Sequence, residues 1–160
     1  MLRNSAEQRV QRMAIGIADS VPKSVASRLL KPVPHQSDVI KLICHEGRLA
    51  SLMADLAIHR LNAVLADRPM PPNVAVRAFS HLLGESTMSL FGTPSAFSAF
   101  ICEQYKVECL GELPDVTEQL YLITTARRLT HPAMVAMTRV AHEEIFAVTA
   151  ASNTSSAPAT

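Results

Sequence analysis

Tryptophan is absent from this chain, and aromatic residues make up only 4% of it. A core must therefore be filled by Leu, Ile, Val, Ala and Met. With 48% hydrophobic residues in a chain of 160, there is enough apolar material to do so. An excess of charge of either sign is also lacking. Fifteen basic residues face fourteen acidic ones, for a net charge of +1. The basic residues are scattered, with Arg127-Arg128 the only adjacent pair, so no polyanion-binding surface is indicated. No apolar run approaches the ~18 residues of a membrane span. Residues 1–21 contain no uninterrupted apolar stretch of the signal-peptide kind. These absences point to a cytoplasmic protein with no membrane partner.

Cysteine is scarce too. Cys44, Cys102 and Cys109 are odd in number and lack CxxC spacing, which argues against a disulfide framework and a zinc knuckle. The expectation is buried apolar thiols in a reducing compartment. The five glycines (Gly16, Gly47, Gly84, Gly92 and Gly111) are too dispersed to cradle a phosphate, and GxGxxG, Walker A and GxSxG patterns are all missing.

Catalytic sets fail in the same way. Ser20-Val21-Pro22-Lys23 matches S-x-x-K, a serine nucleophile beside a lysine base, but the companion S-D-N and K-T-G motifs are absent. Ser20 then reads as a helix cap and Lys23 as a solvated charge. His45-Glu46 and His142-Glu143-Glu144 are the only neighbours of histidine and acid. HExxH is absent and the residue four after His142 is Phe146, so no metal site is expected. Asp67-Arg68-Pro69 reads either as a carboxylate with a charged partner or as a strand-end cap whose arginine binds an anion or a neighbouring carboxylate. No acid–base partner stands at a useful spacing. The chain is expected to be neither an enzyme nor cofactor-dependent.

What is present is a regular alternation of strand and helix signals. "VQRMAIGIAD" reads as a strand ending at Asp19. A helix follows, capped by Asp19 or Ser20, burying Val25, Ala26 and Leu29 and stopped by Pro32 and Pro34. Asp38 to His45 form the second strand, broken by Gly47. Leu49, Leu52, Met53 and Leu56 mark an amphipathic helix, and "LNAVLAD" a third strand. Beyond the turn-rich "DRPMPPN", strands are expected at Val74–Leu83 and Thr87–Phe91, with Gly84-Glu85 between them. Thr93 caps a helix burying Phe97, Phe100 and Ile101. "KVECLGEL" and "EQLYLITT" read as two more strands. Thr130 caps a last helix with Met134, Thr138, Ala141 and Ile145 on one side. Residues 1–9 read as a loose leader and 149–160 as a disordered tail.

The order β-α-β-α-β-β-β-α-β-β-α predicts an α/β fold: a parallel or mixed sheet flanked by helices, with right-handed crossovers. Ligands in such sheets sit beyond the carboxyl ends of the strands. Those ends carry Asp19-Ser20, Cys44-His45-Glu46 and Asp67-Arg68.

Taken in order, "IGIADSVPKSVASRLLKP", "HEGRLASLMADLAIHRLNAVLADRP", "VRAFSHLLGES", "PSAFSAFICEQYKVECLGEL" and "ARRLTHPAMVAM" resemble the effector-binding part of LysR-type transcriptional regulators. The likeness is nearest to the subgroup that activates sodium/proton antiporter genes. The resemblance implies two Rossmann-like subdomains, like those of periplasmic binding proteins, with a small-molecule or ion effector in the cleft between them. It places Asp19, Ser20, Val21, His45, Glu46, Asp67 and Arg68 at that cleft, and it implies homo- or hetero-dimers with LysR-type regulators.

Two departures from the family pattern stand out. The first strand begins near residue 10, leaving no room for the family's helix-turn-helix, so direct DNA binding by this chain is not expected. At Phe91-Gly92-Thr93-Pro94, segments that lie far apart in the family are joined directly, as though most of the second subdomain were deleted. The expected division is a leader (1–9), a first subdomain (10–91 plus 118–148), a remnant of the second (92–117) and the tail (149–160). The expected function is that of a truncated LysR-type regulator acting through ligand binding or pairing with full-length relatives. The alternatives are a stand-alone ligand-binding module and a non-functional gene fragment.

Overall fold

A computed structural model describes residues 10–34, 40–89, 103–105 and 111–147. The leader, the Phe91–Pro94 junction, the apolar set Phe97, Phe100 and Ile101, Cys102, Cys109 and the tail lie outside the described residues.

Alternation at Met13, Ile15 and Ile17 makes β1 (Gln11–Ala18), with all three side chains buried. The next helix, α1 (Lys23–Leu30), buries Val25, Ala26, Leu29 and Leu30. Its N-cap is Pro22, with no side-chain cap, rather than Asp19 or Ser20. The Asp19 N–H is instead committed to the Gly47 carbonyl at 3.0 Å, which ties the end of β1 to its neighbour. That neighbour, β2 (Ile40–Gly47), runs through Gly47 rather than stopping at His45. α2 (Leu49–Ala57) buries Leu52, Met53 and Leu56 as its spacing predicts.

The short strand β3 (Ala63–Ala66) has all four residues buried. Such a run, apolar on both faces, belongs in the middle of a sheet, and β3 is the central strand of the order β2-β1-β3-β5-β4. β1 pairs in parallel with both β2 and β3. The sheet is therefore mixed: β5 (Glu112–Thr124) runs antiparallel to both β3 and β4 (Phe79–Ser89). One helix pair lies on one face, where α1 contacts α3 (Pro132–Val140). α2 covers the other face, where Leu52 and Leu61 crowd Gly16 so closely that a side chain there would meet the Leu61 methyl at 2.8 Å.

Several boundaries differ from the sequence reading, each for a physical reason. The two strands expected around Gly84-Glu85 are one strand, β4. Its ladder absorbs Leu83 as an extra residue between Leu82 and Gly84, in a β-bulge. Gly84 marks a close approach: a Cβ there would run into the ring of Phe146. Glu112 and Leu113 at the end of "KVECLGEL" and the whole of "EQLYLIT" likewise belong to one 13-residue strand, β5. Pairing steps from Thr87–Thr117 to Met88–Leu113, so Pro114, Asp115 and Val116 have no partner in β4. Proline has no N–H to give a ladder, and it sits in this irregularity. The last helix is capped by His131, whose Nδ1 accepts the Ala133 N–H at 3.2 Å, rather than by Thr130. It continues as a π-helical turn, Ala141–Ile145, closed by the Phe146 N–H on the Ala141 carbonyl at 2.9 Å. Cys44 is exposed, contrary to the expectation of a buried thiol, because β2 is an edge strand.

Candidate functional site

Parallel pairing of β1, β2 and β3 brings their carboxyl ends to one rim. The described chain continues there as Asp19-Ser20-Val21, Gly47 and Asp67-Arg68. β4 and β5 extend past this rim as a two-stranded ribbon. Ala66, the last residue of β3, pairs with Tyr121, and β5 runs nine residues further from there to Glu112. The ribbon carries one polar contact along β5 and two across to β4. Tyr121 Oη donates to Gln119 at 2.7 Å, Gln119 Nε2 donates to Glu85 at 3.1 Å, and Thr87 Oγ1 donates to Glu112 at 3.2 Å.

Where the ribbon leaves the sheet there is a narrow slot of about 20 Å³, enclosed by Ser20, Val21 and Asp67 from the rim, Gln119 and Leu120 from β5, and Phe146. That volume holds about one water molecule. A second, wider groove of about 470 Å³ lies between α1 and the β2 edge, lined by Asp19, Val21, Lys23, Cys44 and Glu46 among others. Buried Val21 and its neighbour Pro22 form the wall common to both.

Asp67 is the best-organised polar group of the rim. Arg68 grips it in a fork, with Nε to Oδ1 and Nη2 to Oδ2 both at 3.0 Å. The guanidinium is the main reason the carboxyl ionises below the usual carboxylate range. Partial burial opposes this, and a hydrogen bond from Ser20 assists it. Lys23 pairs with Glu46 at 3.2 Å in solvent, a contact of little energetic weight. Cys44 is exposed as a residue, yet its thiol is partly desolvated in the groove. That burial, followed by the charge of Glu46, pushes the thiol above its ordinary range.

Of the seven sequence-predicted site residues, Ser20, Val21 and Asp67 meet in the slot, and Asp19, Val21 and Glu46 line the groove. His45 and Arg68 line neither. His45 pairs with Gly16 and, by strand alternation, faces the α2 side. Arg68 acts by holding Asp67. The sequence reading missed Gln119, Ser86 and Phe146. Gly84 is a signal for a bulky neighbour, because a glycine inside a strand marks a close approach, although no periodicity says that the neighbour is Phe146. Among the described residues, no cluster of three His, Cys, Asp or Glu side chains can hold a metal, and no helix is long and apolar enough to cross a membrane.

No protein-family model and no curated protein matches the sequence. Solved structures do match the fold. Reduced OxyR from N. meningitidis superposes with a TM-score of 0.52 at 10% identity, over 83% of this chain and 95% of that one. OxyR from Corynebacterium glutamicum in its oxidized form gives 0.59 at 9%, over 91% and 68%. The reduced regulatory domain of OxyR2 from Vibrio vulnificus gives 0.55 at 8%, over 83% and 95%. At such identities the likeness is one of architecture: this chain has the mixed α/β, periplasmic-binding-protein-like fold of LysR-type effector-binding domains.

Proposed function

We propose that this chain is the effector-binding unit of a LysR-type transcriptional regulator, and that its effector enters where the β4–β5 ribbon leaves the strand-end rim. The observation that supports this most is the slot itself. It joins the carboxyl-end rim, where open α/β sheets bind ligands, to a polar ribbon and an aromatic ring. Asp67, fixed by Arg68 and Ser20, supplies a constant negative charge. Gln119 and Ser86 supply further polar atoms. An effector that presents hydrogen-bond donors or a positive charge suits this wall. The slot is too small for more than water, so binding a larger effector requires the ribbon to move away from α1.

In this reading the body of the sheet is the first subdomain, residues 10–91 with 118–148, and 92–117 is what stands for a second. β4 and β5 are the two strands that lead out to that segment and back. The antiporter-activator branch and pairing with full-length regulators follow from the resemblance noted above, and regulation would then act through assembly.

The test is a thermal-denaturation screen of the full chain against amino acids, organic acids, polyamines and alkali cations. Ser20→Ala and Asp67→Asn serve as controls. The reading expects at least one compound to raise the Tm saturably in the wild type and to lose at least about tenfold in affinity in one of the two variants. If no compound stabilises the wild type, or if both variants respond as the wild type does, the rim is not an effector site. Co-purification with a full-length LysR-type regulator tests pairing separately.

A further inference from the structure

The end of the sheet opposite the rim carries a third cavity, of about 190 Å³, between the loop after α2 and the loop from β5 to α3. Its lining includes the polar side chains of His59, Asn62, Arg128 and His131 and the three threonines Thr124, Thr125 and Thr130. Among the described residues, no carboxylate is in the lining. The nearby Asp55 is engaged by Arg60 at 3.7 Å.

Three of these groups have only donors left to offer. Asn62 Oδ1 accepts the Ala14 N–H at 2.8 Å, which fixes the amide so that its NH₂ is the end left over. His131 Nδ1 accepts the Ala133 N–H at 3.2 Å, so the proton of the neutral ring sits on Nε2. Arg128 makes no ion pair or hydrogen bond among the described residues, and it has only donors.

The frame around them is rigid. The Ala126 carbonyl accepts from Thr124 Oγ1 at 2.8 Å and from His81 Nε2 at 3.2 Å, which pins the loop that carries Arg128. His59 is the residue after the C-cap of α2 and has φ 58. Its N–H reaches the Leu56 carbonyl at 3.1 Å, and that of Arg60 reaches Asp55 at 2.9 Å. This double closure is a Schellman turn, in which glycine normally takes the left-handed position. A histidine there costs roughly 1 kcal/mol of backbone strain and puts an imidazole at the mouth of the cavity.

From these three donors, set in a lining with no carboxylate among the described residues, we infer an oxyanion site, sized and equipped for a phosphate group, held by Arg128, Asn62 Nδ2 and His131 Nε2 with His59 at its edge. A metal cation is disfavoured at the same place by the guanidinium and by the lack of a third ligating side chain. The site lies at the other end of β3 from the rim, so it stands or falls independently of the effector reading.

The experiment uses the full chain and two probes, inorganic phosphate and glycerol 3-phosphate, with sodium chloride at matched ionic strength. Thermal denaturation gives affinity, and backbone amide NMR shifts give location. The expected result is saturable stabilisation by phosphate beyond that of chloride, with shifts at residues 59–62 and 125–131 and none at Ser20 or Asp67. Arg128→Gln should weaken binding at least tenfold. His131→Asn, which keeps a capping side chain, should weaken it several-fold, while Arg127→Gln, outside the lining, should leave it unchanged. Tighter binding of the ester assigns a substituted phosphate, and equal or weaker binding assigns the free ion. If stabilisation follows ionic strength alone, if the shifts fall elsewhere, or if Arg127→Gln weakens binding as much as Arg128→Gln, the site does not exist. The wild-type shift map decides the matter even if a variant fails to fold.

Discussion

The two halves of β5 belong to one strand yet live in different environments. Leu120, Leu122, Ile123 and Thr124 are buried in the sheet, whereas every residue from Glu112 to Glu118 is exposed. Inside the sheet the strand is anchored by β3 and β4 on either side. In the ribbon β4 is its one partner among the described residues, and the pairing is interrupted across Pro114, Asp115 and Val116. A strand secured by buried apolar contacts opens only with global unfolding, whereas one secured by exposed backbone bonds opens locally. The candidate effector slot lies where the two regimes meet, so it has one fixed wall and one pliable wall.

Mutations in the fixed half should cost most. Leu65 in β3 is fully buried between its neighbours, and Leu65→Ala should destabilise the protein by about 2–5 kcal/mol in denaturant unfolding. Gly84→Ala tests the joint. The new methyl must displace the Phe146 ring, at a cost of roughly 1–3 kcal/mol. A neutral result would mean that Phe146 is not seated on the bulge. At the rim, the Asp67 carboxyl is depressed in the fold, so its contribution is fully present above the unfolded carboxylate pKa and is lost as pH falls through the folded value. Wild type should therefore lose more stability than Asp67→Asn between about pH 5 and about pH 2. Parallel curves would remove Arg68 and Ser20 as partners that matter.

The ribbon should be the tolerant region. Leu113 and Val116 are 43% and 49% exposed. Their replacement by serine should change stability by no more than about 0.5 kcal/mol, and a larger loss would show that the ribbon is covered. Smallest is the effect at the β2 edge. Cys44 should alkylate slowly at neutral pH and faster as pH rises through and beyond the ordinary thiol range. Glu46→Gln should speed it a few-fold at fixed pH by removing the repelling charge.

The sequence disclosed what depends on local apolar pattern. The buried faces of α1 and α2 follow from the spacing of Val25, Ala26 and Leu29 and of Leu52, Met53 and Leu56. The rim follows from where strands end, which points to Ser20 and Asp67, whereas Val21 comes only from the family resemblance; the three line one slot. Long-range pairing was not legible. Nothing local says that Glu112–Glu118 continues the strand of Leu120–Thr124, because that continuity comes from a ladder with β4, distant in sequence. Phe146 was missed because the π-helical turn inserts a residue and breaks the 3.6-residue phase on which helix-face reasoning rests. Cys44 was misplaced because exposure at a sheet edge is a property of strand order, not of the residue's own preference.

Peptide-resolved hydrogen exchange of the free protein tests the central contrast most directly. The account predicts that amides of β3 and of residues 120–124 exchange only through global unfolding, while those of 112–118 exchange at least about a hundredfold faster. Uniform protection along β5 would contradict it, since the slot would then have two rigid walls and no means of opening to an effector.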